Sequence, residues 1–298
     1  MTQFDFYLLN LSFRAPDGLQ LHDLKNSIEQ LSEDCAFIRQ QEEKIHRHPS
    51  IYEEYLWADY QVLDILYNPA SSDTLGRDHC YMLQTIIDHA AETATENDRI
   101  LAMLDAHGEN QVNGLLCLHT VPEVDSRYCV YDRNDWLAFH RYFLGHYPVS
   151  NVWFTAGCRK YFPKLCFHAQ IHTSLNTLPA KGIHSFSHTI VDALTCLNDY
   201  FDYCRIPNNI PETLERFKAR SGFETSNEGN SRRKDDLSFS FVNQKGLPEL
   251  VYCEPHLKIS RSDQPGDHFF YQNRIYFSPG KENIEGGKIL VGHIGGHL

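Results

Sequence analysis

Along residues 250–260, LVYCEPHLKIS, apolar and polar positions alternate. Val251, Cys253, Leu257 and Ile259 fall on one side, Glu254, His256 and Lys258 on the other. Period two marks a half-buried strand. An acid, an imidazole and an ammonium then leave one face at every second residue. NRIYFS adds Arg274 and Tyr276 on one side, with Ile275 and Phe277 on the other. The closing KILVGHIGGHL brings His293 and His297. Strict alternation groups His293 with Ile289 and Val291, whereas Gly292 and the Gly295-Gly296 pair leave room for a bulge or turn that would redirect it. From Leu237 onward the pattern predicts an antiparallel sheet of about four strands.

Upstream the period changes. FDFYLLNLSF, dense in aromatic and branched residues, reads as a strand ended by the turn residues Ala15-Pro16-Asp17-Gly18. Leu21, Leu24, Ile28, Leu31, Cys35 and Ile38 recur at helical spacing and predict a helix to about His46. Apolar residues on most faces of Ile51 to Tyr67 predict a second, buried helix stopped at Asn68-Pro69. Ser72 or Asp73 would cap a third, with Leu75, Met82, Leu83, Ile86 and Ile87 as its stripe. Gly114 to Val121 reads as a short strand, and Asp132 or Asn134 caps a helix carrying Trp136, Phe139 and Phe143. The aromatics of NVWFTAGCRKYFPKLCFH fit neither period. A clear helix runs from about Ser185 to Cys204, and Pro211 opens a short one. Gly222 to Asp235 is polar and reads as a loop or border. The expectation is therefore an α+β chain: a mainly helical N-terminal part with a few strands over 1–183, and a domain with an antiparallel sheet over 184–298.

Composition narrows the class. With 298 residues, 42% of them hydrophobic, the chain can bury a core. Its apolar runs are shorter than a membrane span, and MTQFDFYLLN lacks the basic start and apolar centre of a signal peptide, so a cytoplasmic protein without membrane contact is expected. Nine cysteines, never in a CxxC pair, argue against a disulfide framework or zinc ribbon. The net charge of −12 is uneven: nine Lys or Arg face eight Asp or Glu after residue 231, against 18 and 31 before it. An acidic body can thus carry a near-neutral tail with a local basic patch.

The familiar phosphate, dinucleotide and hydrolase signatures GxxxxGK[ST], GxGxxG and GxSxG do not occur. Cys158, Cys166, His168 and His172 match no zinc spacing, and His184 with His188 lacks the glutamate of HExxH. No metal or other cofactor is expected, and elemental analysis returning one zinc per chain would overturn that. The C-terminal polar set remains, against the plainer view that it is a solvated sheet face with cross-strand Glu/Lys pairs.

The order of helix, short helix and antiparallel strands from about residue 185, with Lys, Arg, Tyr and His on one sheet face, resembles the small RelE-type toxin domain. The block CEPHLK, RIYF, GHIGGHL also resembles the ends of bacterial proteins from mobile or phage-defence regions. Membership would imply a curved sheet gripping messenger RNA and metal-independent cleavage through the RNA's own 2′-hydroxyl. Lys258 and Arg274 would then stabilise transition-state charge. His256 or His293 would act as base or acid near its natural pKa, Tyr276 would stack on a base or donate to phosphate, and Glu254 would orient the histidine. The long N-terminal part is foreign to that pattern. The competing expectation is a non-enzymatic protein partner or regulator in a toxin–antitoxin or phage-defence system, with the sheet merely structural. A metal-dependent hydrolase, resting on 17 scattered histidines, comes third.

Overall fold

The opening run forms strand β1 (Gln3–Leu8), whose Phe6, Tyr7 and Leu8 are all buried, because in a computed structural model of residues 2–68, 74–106, 111–229 and 233–298 it lies at the centre of a parallel sheet. The expected caps Ser72 and Asp73 lie outside these residues. The N-terminal unit, Met1–His140, also holds β2 (Lys44–Arg47), β3 (Tyr55–Trp57), β4 (Tyr60–Gln61), β5 (Ala91–Glu92), β6 (Gln111–Leu116) and β7 (Cys129–Val130). Five of them pair in the order β5-β2-β1-β6-β7, every pair parallel. Parallel neighbours need crossover segments, which is what the helices Leu21–Gln40 and Arg77–Asp88 supply. The chain is thus α+β as expected, but its first strands are organised into a parallel sheet that the alternation did not announce. A strand covered on both faces loses period two.

Two expectations fail here for local reasons. The first helix stops at Gln40, not His46, because Glu42 turns to a φ of 62° and Lys44–Arg47 then pairs with β1. The buried helix over Ile51 to Tyr67 is instead a 3-10 turn (Pro49–Glu53), the β3-β4 hairpin and a short helix Val62–Tyr67. Ala58, at φ 46°, makes the tight turn between Trp57 and Tyr60 that a continuous helix would forbid.

The second compact unit is Arg141–Leu298, beginning earlier than the expected border at 183/184. The untyped aromatic segment belongs to it, as a helix Asn151–Tyr161 and strand β8 (Leu165–Phe167). Strands β9 (Thr225–Ser226), β10 (Ser238–Val242), β11 (Pro248–Tyr252), β12 (His256–Ile259), β13 (Asn273–Ser278) and β14 (Ile289–Gly296) follow. The main sheet runs β8-β14-β13-β12-β9. Its last four members are antiparallel, and β8 joins β14 in parallel. The expected single strand over 250–260 is therefore two, broken at Cys253-Glu254-Pro255, and β10-β11 form a sheet of their own.

Both faces of the main sheet are covered. On one, Phe201 of the helix Ser187–Cys204 meets Phe217 of the helix Ile210–Ser221 and Phe277 of β13 edge-on, at 5.4 and 5.3 Å. On the other, Tyr276 and Leu290 join Leu237, Phe241, Val251 and Cys253 in a second core supplied by the β10-β11 hairpin. The solvated face expected from the alternation is thus a packing surface. Gly292 shows how tight it is: a Cβ there would collide with the Phe239 ring.

Candidate functional site

Register brings the sequence-derived candidates into two rows. His256 on β12 stands opposite Tyr276 on β13, and Tyr276 opposite His293 on β14. Lys258 stands opposite Arg274, which faces Gly295. The alignment of His293 depends on a bulge: the register shifts between Tyr276 and Phe277, which pair with His293 and Val291, so Gly292 is left over and His293 moves onto the Tyr276 side. Glu254 lies before β12; its carboxylate accepts the Gly229 N–H at 3.2 Å, and it is the backbone carbonyl, 3.4 Å from His256 Nδ1, that meets the imidazole.

The central row is buried, with His256 and His293 each 4% exposed and Tyr276 fully covered. Tyr276 cannot stack on a base, since its fully covered ring packs in the hairpin core and against the imidazoles of His256, His293 and His297, with centroids 5.1, 5.9 and 6.4 Å away, while its hydroxyl reaches Glu228. Ser226 Oγ lies 3.1 Å from His256 Nε2, and His293 Nε2 donates to the Gly296 carbonyl at 2.9 Å.

What the pattern missed is the group laid over this row by the segment after β9. The Glu228 carboxylate, with 10% of its side chain exposed, accepts from Tyr276 Oη at 3.3 Å and from Arg233 Nη1 at 2.7 Å. His297 Nε2 stands 3.6 Å from it and His256 Nδ1 3.9 Å. Arg233 Nη1 also lies 3.2 Å from His297 Nδ1. Arg274 donates through Nη1 to the Asn273 carbonyl, while its buried Nε has no hydrogen-bond partner among the described residues. Glu228 and Arg233 sit in the polar stretch read as a border, where no periodicity singles out a residue. His297 was visible only as a terminal histidine.

Burial sets the protonation states. It pushes the His256 imidazole down to about 4, with Arg274 and Lys258 adding to the effect, so the expectation of a natural histidine pKa fails. His293 and His297 are lowered too, chiefly by burial. Burial and the Glu228 charge push the Tyr276 phenol up to about 12. At neutral pH the site therefore holds uncharged imidazoles and a protonated phenol, with the Arg233 guanidinium paired to the one carboxylate.

His256 also ties stability to pH. The unfolded chain takes its proton near pH 6.5, the folded one only near 4, so the contribution is intact above 6.5 and is lost as pH falls through that window. Urea midpoints of wild type and His256→Phe, measured from pH 7 to 4, should show the wild type losing more. Equal slopes would mean that His256 is not held neutral. Asp34, raised to about 6 by burial, opposes the trend identically in both proteins.

His168 packs on the rings of Phe239 and Phe241, and Cys35, Cys117, Cys129, Cys158, Cys204 and Cys253 are buried free thiols. Among the described residues no group of three or more His, Cys, Asp or Glu is placed to hold a metal ion, and no helix is long and apolar enough to cross a membrane. No family model matches the chain, and no curated protein or solved structure matches it either.

Proposed function

We propose that the C-terminal unit binds and cleaves RNA without a metal, as the cytoplasmic effector of a bacterial toxin–antitoxin or phage-defence system. The observation that carries this reading is the convergence of His297, Arg233 and Tyr276 on one carboxylate, with the Lys258–Arg274 row beside it. These are the groups that an internal transesterification needs.

In this chemistry a neutral His297, the most exposed imidazole of the group, takes the proton of the 2′-hydroxyl. The 2′-oxygen bonds to phosphorus, the bond to the 5′-oxygen breaks, and that oxygen takes a proton from the Tyr276 hydroxyl. The proton on His297 then restores the phenol. Products are a 2′,3′-cyclic phosphate and a 5′-hydroxyl. Arg233 and Arg274 offset the charge added at phosphorus. His256, covered and held by Ser226, positions the row and does not titrate at neutral pH.

Incubation of the full chain with single-stranded RNA in EDTA tests this. Fragments bearing those two ends are expected. RNA neither retained nor cut by excess protein sinks the reading. A protein-partner role then takes over, favoured by the exposed apolar Val242, Leu247 and Leu250 on the β10-β11 hairpin.

A further inference from the structure

The carboxylate of Glu228 is held as a ligand would be. A hydroxyl and a guanidinium bind its two oxygens, and two imidazoles stand within 3.9 Å. Around it the charges do not balance. Arg233 is paired with it directly, and the Arg274 guanidinium, whose charge is felt by Glu228, adds a second cation with a buried Nε–H that has no hydrogen-bond partner among the described residues. An unpaired buried donor of a cationic group is costly unless something arrives to meet it. A phosphate diester or monoester has the oxygen geometry to take both the seat and the spare donor.

We propose that Glu228 occupies the seat of a phosphate oxygen, so that the site as folded is closed by its own anion and opens to a phosphate group that displaces it. Only the identity of the displacing group, a phosphodiester of RNA, rests on the function proposed above. Displacement costs little ladder structure. The β9-β12 pairing consists of Leu257↔Thr225 and His256↔Ser226 and ends there, two residues before Glu228. Tyr276 is fixed on β13 and His297 directly follows β14, so neither depends on the Glu228 segment, and both they and Arg233 regain an acceptor in the phosphate oxygens when the carboxylate swings out. Glu228 is on this account a competitor of the substrate, setting a threshold that a weakly bound anion does not cross.

The test uses inorganic phosphate as the probe, titrated calorimetrically into the full-length wild type and Glu228→Gln. The glutamine keeps the shape and an acceptor for Tyr276 but removes the charge. Removing the carboxylate charge removes its repulsion of an arriving anion and its competition for the Arg233 guanidinium. Phosphate affinity should therefore rise at least about tenfold in the variant, and RNA cleavage should speed up by a similar factor. Should Glu228→Gln fail to fold, as judged by its thermal melt, Glu228→Ala is read in its place. Unchanged phosphate affinity overturns the seat, and if the wild type still cuts RNA the cleavage reading survives it. Loss of cleavage in a folded Glu228→Gln also overturns the seat and makes Glu228 a working acid–base group. A gain in phosphate affinity with RNA left untouched by both proteins supports the seat and removes RNA as its ligand.

Discussion

Replacing His297 by alanine is expected to slow RNA cleavage by roughly 10²–10³-fold, the usual loss when a positioned base is removed. The thermal midpoint should stay close to that of the wild type. Burial separates the two effects. His297 keeps 27% of its side chain exposed, so its truncation leaves no sealed cavity, while its Nε2 stands 3.6 Å from Glu228 at the mouth of the group. His256 makes the contrast. It is 4% exposed and bonded to Ser226, so His256→Ala opens a void, strands a polar partner and should cost about 1–3 kcal/mol. An assay of His256→Ala alone would therefore confuse unfolding with lost chemistry. Paired melts and single-turnover rates separate the two. Full activity in a folded His297→Ala would remove the base from this mechanism and leave the cluster structural.

The difference between these histidines shows where the sequence could be read and where it could not. Period two placed His256, Tyr276 and Lys258 with Arg274 correctly on shared sides, because pleat direction is a property of the local backbone. It could not say whether that side is wet, since burial is decided by what packs on it. Here the cover is the β10-β11 hairpin, whose Phe239, Phe241 and Val251 read equally well as one more strand of the same sheet. The glycines around His293 left both sides open to it, and the bulge that brings it to Tyr276 decides between them. Glu228 and Arg233 carried no such signal. Their loop has no period, and their position depends on long-range contacts with Tyr276 and His297. In the N-terminal unit the same limit appears in another form: β1, covered on both faces, shows only apolar density, and parallel pairing joins segments too far apart for any local pattern to register.

The remaining large effect is on stability and tests whether the apolar side of the main sheet holds the site in place. Phe201 is fully buried, and its ring meets Phe217 and Phe277 edge-on, tying two helices to β13. Phe201→Ala removes those contacts and leaves a cavity between elements that cannot collapse without breaking the sheet. The cost of such a truncation is about 3–5 kcal/mol. Against a total stability of about 5–15 kcal/mol for an ordinary domain, that is enough to populate the unfolded state of the second unit measurably at 37 °C. Residue 277 directly follows Tyr276 on β13, on the far side of the bulge, so a shift of the strand to fill the void also moves the hydroxyl that holds Glu228. Phe201→Ala should therefore lower both the denaturant midpoint and RNA cleavage. Phe201→Leu, which refills much of the volume, should recover most of both. Denaturant titration followed by Tyr and Trp fluorescence reads the first effect, and the EDTA cleavage assay the second. A Phe201→Ala protein with an unchanged midpoint would mean that the ring cluster is not what secures β13, and the positions of Tyr276 and His256 would need another support.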